Sequence, residues 1–173
     1  MPHLHIVLAE PQIPQNTGNI SRTCAVTGAT LHLIRPYGFE ITDRNLKRAG
    51  LDYWDKLEIF EYASLSAFMQ QHSADRIYYF TTKARSAHSD VVYPDKQEIY
   101  LMFGREDAGL PEELLVAHPE TAVRIPMRPT LRSLNLSNSV AIAAYEVLRQ
   151  WGYPDMTAQG NLTKYAWEQE ENG

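Results

Sequence analysis

Ser133, Asn135, Ser137, Asn138 and Ser139 stand within seven residues, at the start of an apolar-periodic run that predicts a helix to about Trp151. One Ser or Asn is enough to receive the backbone N–H groups left without partners at a helix start. The rest is a surplus of hydroxyl and amide groups. It lies at the positive end of a helix and follows Arg124, Arg128 and Arg132, in a loop broken by Pro126 and Pro129. Such a cluster suits a polar or anionic ligand. Arg22, Glu106, Ser133 and Asn135 are the polar groups able to orient one.

Other chemistries find no support in the residues. There is no GxxxxGK[ST] phosphate cradle, and Gly104-Arg105-Glu106-Asp107-Ala108-Gly109 does not have the GxGxxG spacing. A GxSxG nucleophile elbow is absent. The single cysteine, Cys24, falls inside a predicted helix beside Ala25 and Val26, which reads as a small buried hydrophobe. One cysteine also excludes an internal disulfide and a cysteine-based zinc site. His3 and His5 share one face of a strand, but a metal needs at least one more ligand, and no metal is expected.

The elements that must position the polar cluster alternate regularly. His3–Ala9 reads as a buried strand, broken by Glu10–Pro14. A helix runs from about Gln15 to Thr27, with Gly28 suited to the left-handed position after it. Thr30–Ile34 is the next strand, completing a βαβ unit. Asn45–Gly50 predicts a short helix, Leu57–Tyr62 a strand, and Ser64–His72 a helix capped by Ser64. Arg76–Thr81 and Glu98–Phe103 are strands, Pro111–His118 a short helix with Pro111 in its first turn, and Ala122–Ile125 the last strand. This is an α/β fold with a mostly parallel sheet flanked by helices. Ligands of such sheets bind beyond the carboxyl ends of strands, here the loops Glu10–Asn19, Thr81–Ser89, Gly104–Leu110 and Pro126–Asn138.

Length and charge bound the reading. The 173 residues are expected to form one domain over 1–153, with a peripheral tail over 154–173. No apolar run approaches a membrane span and no signal-type segment opens the chain, so the expected location is cytoplasmic. Sixteen Lys and Arg against 21 Asp and Glu give a net charge of −5, which does not advertise nucleic-acid binding. Basic residues nevertheless group at Arg35, Arg44, Lys47 and Arg48, at Lys83 and Arg85, and in the arginine loop, while Glu168, Glu170 and Glu171 gather in the tail. In the final helix Leu136, Val140, Ala144, Val147 and Trp151 make one apolar stripe, and Ala141, Tyr145 and Leu148 a second. A helix apolar on two faces calls for two partners, its own sheet and a second subunit, or else for deep burial in one chain. From the residues alone the protein is a dimeric α/β protein with a loop-built ligand site.

Three of these loops, in order, resemble the three motifs of the SPOUT methyltransferases, in the branch that methylates RNA ribose 2′-hydroxyls. Asn16-Thr17-Gly18-Asn19-Ile20-Ser21-Arg22 is similar to N-x-G-N-I-x-R. Phe103-Gly104-Arg105-Glu106-Asp107-Ala108-Gly109-Leu110 is similar to F-G-x-E-x-x-G-L, and Ile125-Pro126-Met127 with Ser133-Leu134-Asn135-Leu136-Ser137 to I-P-M…S-L-N-x-S. The likeness spans about residues 3–153. Ala49–Tyr53, Thr81-Thr82-Lys83 and Gly152-Tyr153-Pro154, without an added RNA-binding domain, resemble the minimal family that methylates the wobble cytidine or uridine of tRNA.

The resemblance implies a C-terminal deep trefoil knot holding S-adenosyl-L-methionine, with S-adenosyl-L-homocysteine as product and no metal. It implies a cofactor pocket at Phe80, Gly104, Ile125 and Ser133, walled by Leu134 and Met127, in which a side chain at position 104 would collide with the ligand. Arg22, Asn16, Glu106 and Asn135 would form the reaction side. It implies a tRNA anticodon stem-loop as substrate, and a homodimer joined through the final helix, 136–151, with Tyr145 at the interface. The arginine matching Arg22 is given the role of activating the hydroxyl. Because arginine stays protonated at neutral pH, an equal reading is that it holds a phosphate and the developing alkoxide. Another tRNA or rRNA position, a non-catalytic RNA-binding dimer on this fold, and an enzyme of small nucleotides remain alternatives.

Overall fold

A computed structural model describes residues 2–42 and 54–167. Six strands, β1 (His3–Ala9), β2 (Thr30–Ile34), β3 (Ile59–Tyr62), β4 (Arg76–Phe80), β5 (Glu98–Phe103) and β6 (Ala122–Val123), make one sheet in the order β3-β2-β1-β5-β4-β6. Every pairing is parallel. Parallel neighbours cannot be joined by tight hairpins. Helices α1 (Pro14–Thr27), α2 (Leu65–Gln71), α3 (Glu112–Ala117) and α4 (Leu136–Gln150) lie between or beyond the strands.

Alternation along the strands divides the core in two. Leu4, Ile6 and Leu8 of β1 face α1 and α4, where Ile20, Cys24, Val140, Ala143, Ala144 and Val147 close over them. Val7 and Ala9 face the other way, toward Phe68 of α2 and Leu110 before α3. Each buried Leu or Ile stabilises the fold by about 1.5–3 kcal/mol. The small alanines of α4 let it lie close along α1. Gly28 adopts φ 73° and turns its N–H back to the Cys24 carbonyl, and Ser64 Oγ accepts from the Ala67 N–H at 3.1 Å, so both predicted helix signals are present. Cys24 is fully buried, and burial pushes its thiol up to about 12.

Four expectations shift. β3 starts at Ile59, because Trp54–Lys56 form a 3₁₀ turn that Leu57 closes with its N–H on the Trp54 carbonyl. β6 stops at Val123: the next N–H, from Arg124, goes to Ser86 and the Arg124 carbonyl accepts from His88, so a loop takes over the pairing. Pro111 precedes α3 in an extended conformation (φ −57°, ψ 136°) rather than standing in its first turn. Leu148 does not belong to a second face of α4. It joins Val140, Ala144 and Val147 in the core, and the outer side carries Ile142 and Tyr145, 41% and 40% exposed. The predicted helix Asn45–Gly50 and the stretch Ala49–Tyr53 lie outside the described residues. Residues 154–167 form neither helix nor strand.

Candidate active site

Phe80 pairs with both Phe103 and Val123, so β4, β5 and β6 end level with one another. The chain therefore leaves the sheet side by side at Thr81, Gly104 and Arg124, and the loops read as ligand-binding rise from one edge. Phe80 is buried with its ring stacked on Phe103, centroids 4.7 Å apart. Ile125 and Met127 are half-buried, Ile125 against the core, while Ser133 is exposed and Leu134 is 36% exposed. Two concavities, of about 660 and 450 Å³, lie elsewhere, one around the start of β4 and one against β1–β3. The loops at the carboxyl edge are picked out by their chemistry, not by volume.

Gly104 has a reason within its own loop. A Cβ there would stand 2.1 Å from the carbonyl carbon of Gly109 and 2.4 Å from the Leu110 nitrogen. The loop folds back on itself, with the Gly109 N–H donating to the Arg105 carbonyl at 2.9 Å and Gly109 at φ 69°. The backbone of the loop itself already excludes a side chain at position 104.

The fold-back delivers Glu106 to the start of α1. Its carboxylate accepts the backbone N–H groups of Gln12 (2.8 Å) and Ile13 (3.1 Å) and the side-chain amide of Asn16 (3.3 Å). Asn16 Oδ1 in turn accepts from the Asn135 amide at 3.2 Å. Asn135 Oδ1 caps α4, taking the N–H groups of Ser137 (3.0 Å) and Asn138 (3.3 Å) and the Ser137 hydroxyl (2.6 Å). The Ser139 hydroxyl donates to the Asn135 carbonyl at 3.0 Å. Asn16, Glu106 and Asn135 thus bind three loops, far apart in sequence, into one unit, and part of the polar surplus before α4 is used in doing so. Sequence reasoning missed this tie. Its signal was Ile13, an apolar residue at a helix start, which leaves α1 without an acceptor of its own. A carboxylate there also meets the positive end of the helix.

Arg22 stands apart from this unit on α1. It follows Asn16 by six residues, about 9 Å along the axis and about 240° around it. Asn16 is buried and Arg22 exposed. Of the basic residues grouped by sequence, Arg35 pairs with Glu61 at 2.6 Å and Lys83 with Glu112 at 2.7 Å, both exposed pairs of small energetic weight. Arg128 and Arg132 are exposed on the loop before α4. Arg44, Lys47 and Arg48 lie outside the described residues.

A family model described as the SpoU rRNA Methylase family matches residues 3–145. The tRNA (cytidine(34)-2'-O)-methyltransferase of Escherichia coli strain K12 is 50% identical over 152 residues, covering 87% of this chain and 96% of that protein. A solved structure described for the 2-OH methylation of C/U34 on tRNA superposes with a TM-score of 0.80 at 42% identity, over 87% of this chain and 97% of that one. The SpoU methyltransferase AviRb from Streptomyces viridochromogenes, in complex with the cofactor AdoMet, is 22% identical with a TM-score of 0.72. It covers 86% of this chain and 57% of that one and shares the fold.

Proposed function

The chain belongs to the SpoU rRNA methylase family, and from that premise we propose that it methylates the ribose 2′-hydroxyl of the wobble nucleotide, cytidine or uridine 34, of tRNA. The observation that carries the reading is the joining of all three motif loops, through Glu106, Asn16 and Asn135, at the carboxyl edge of the sheet. The E. coli protein and the C/U34 structure, similar over nearly their whole length, support the choice of nucleotide.

S-adenosylmethionine supplies the methyl group, leaving S-adenosylhomocysteine. The residues present suit it. Ile125, Met127 and Leu134 offer apolar surface that the core does not fully use, Ser133 an exposed hydroxyl, and the loop after Gly104 backbone polar groups. Phe80 acts from beneath, as the stacked floor of that edge. Asn16, Glu106 and Asn135 act as positioning residues, holding the loops at fixed separation. Arg22 holds a tRNA phosphate and the developing 2′-alkoxide, whose proton passes to water. Arg128 and Arg132 extend the positive rim toward the anticodon stem-loop.

The C-terminal part of the sheet takes the trefoil-knotted course of the SPOUT fold. Two copies join through α4, with Ile142 and Tyr145 on the shared surface, and the enzyme works in the cytoplasm. No helix among the described residues is long and apolar enough to cross a membrane.

Tritium transfer from labelled S-adenosylmethionine to bulk tRNA, followed by mapping of the labelled nucleotide, tests the reading. Label on the 2′-oxygen of nucleotide 34 is expected, and label on rRNA alone overturns the substrate. Arg22→Ala is expected to lower kcat at least about 100-fold with donor affinity and oligomeric state unchanged. Equal turnover would remove Arg22 from the reaction.

A further inference from the structure

The amino half of the sheet carries, on its α2 face, a polar layer that methyl transfer does not use. His3, His5, Thr30, His32, Tyr62 and Tyr100 line it, brought level by the register of β1 with β2 and β5. Helix α2, seven residues or about 10 Å long, is too short to roof it. A cavity of about 450 Å³ remains, within the range of small-molecule sites.

A continuous hydrogen-bonded chain runs through this layer. Asp75 Oδ2 meets His72 Nδ1 at 2.7 Å, and His72 Nε2 meets the Tyr62 hydroxyl at 2.9 Å. The hydroxyl meets His32 Nδ1 at 2.8 Å, and His32 Nε2 meets His5 Nδ1 at 2.9 Å. With His72 neutral, the carboxylate fixes every proton in turn. His72 Nδ1–H donates to Asp75, Tyr62 O–H to His72, His32 Nδ1–H to Tyr62, and His5 Nδ1–H to His32. His5 Nε2 is then a bare lone pair. It is buried, and among the described residues no group hydrogen-bonds to it. The atom that faces it is another acceptor, Glu98 Oε1, at 3.9 Å.

Two acceptors facing each other call for a shared donor. We propose that this cavity binds an aliphatic primary ammonium ion, its nitrogen hydrogen-bonded between His5 Nε2 and Glu98. One nitrogen making two hydrogen bonds of about 2.85 Å across 3.9 Å subtends about 90°, within reach of an ammonium group. A zinc ion about 2.05 Å from each atom would need about 145°, far from tetrahedral. Among the described residues no three His, Cys, Asp or Glu side chains are disposed to hold a metal. Among the described residues the cavity lining holds two carboxylates, Glu58 and Glu98, and no Lys or Arg, so its charge favours a cation. Phe60 and Tyr100 supply aromatic surface for the alkyl chain and the charge. Burial, then the neighbouring imidazoles, hold His5 near 4 and His32 near 3, so neither ring adds positive charge at neutral pH. Glu98, 61% exposed, covers His5 Nε2 and has room to swing out and close on the ligand.

Calorimetric titration of the protein, free of tRNA, with butane-1,4-diammonium at pH 8.0 tests the proposal. One saturable site is expected. Glu98→Gln, at an exposed position that leaves the fold alone, and His5→Phe should each weaken it at least tenfold, and butane-1,4-diol should not bind. Histidine ring ¹⁵N spectra at pH 8.0 should show His5 as the Nδ1–H tautomer, with its Nε2 resonance moving on addition of the diamine. Heat without saturation, equal binding by Glu98→Gln, an Nε2–H tautomer at pH 8.0, or zinc alone binding with the same loss in both variants would each overturn it.

Discussion

At the carboxyl end of the sheet the polar groups are short side chains on loops and helix starts: Asn16, Glu106, Asn135 and the serines around the start of α4. They reach across sequence to bind backbone and each other, and several remain exposed. At the amino end the polar groups are rings on strands, His5, His32, Tyr62 and Tyr100, buried and pointing where a hydrophobe would ordinarily stand. The first arrangement fixes positions of loops and leaves surface for a substrate. The second fixes proton positions and seals them from water. The contrast teaches that hydrogen bonds serve two ends in one domain, and that each end should fail in its own way.

Gly104→Ala should give the largest effect, at the carboxyl end alone. The added methyl would meet backbone at 2.1 Å, which no rotamer relieves. A loss of about 3 kcal/mol or more in urea unfolding is expected, with loss of donor binding, because the loop that delivers Glu106 cannot fold back. Unchanged unfolding would mean that the loop is easily rearranged.

Acid should strike the amino end next. In the unfolded chain His5 and His32 titrate near 6.5, whereas burial, and then the neighbouring imidazoles, hold them near 4 and 3 in the folded protein. Between about pH 6.5 and 4 the unfolded state binds more protons, so stability rises with pH over that interval. It is complete well above pH 6.5 and falls as the pH drops, by on the order of 2 kcal/mol for each ring. The groups facing the two rings are His3, Tyr62, His72, Asp75, Glu98 and Tyr100. Urea midpoints at pH 7.5, 6.0, 5.0 and 4.5 check the slope. A His5→Asn, His32→Asn double variant should flatten it, and a flat wild-type curve would dissolve the contrast between the two ends.

Glu106→Gln should have the smallest effect. The amide keeps one acceptor oxygen for three donors, so about 1 kcal/mol of stability is expected to go. Turnover should fall several-fold with KM for tRNA little changed, because the loops loosen without losing a substrate contact. Thermal melting and initial rates separate the two readouts.

Much of the scaffold could be read from residue order. His3–Ala9, Thr30–Ile34 and Glu98–Phe103 are strands with the expected limits, since each is an apolar run punctuated by Pro, Gly or charge. The polar cluster before α4 was visible for the same local reason. What could not be read is whatever depends on distant partners. His3 and His5 stood alone in the sequence, because the groups that give His5 its meaning arrive from β2, β3, β5 and the turn after α2. Gly104 could be seen as necessary, but only the return of Gly109 says why. Leu148 looked like part of a second face because a helical stripe cannot tell how far round a neighbouring helix reaches.

The hydrogen bond between Asn16 and Asn135 joins residues 119 apart. During synthesis at roughly 5–20 residues per second, Asn16 and the start of α1 leave the ribosome about 6–24 s before the residue that completes them. Every nascent chain thus passes through an interval in which β1 and β2 are made while the tie across the carboxyl edge is still lacking. The joined arrangement of the loops is therefore a late property of each molecule.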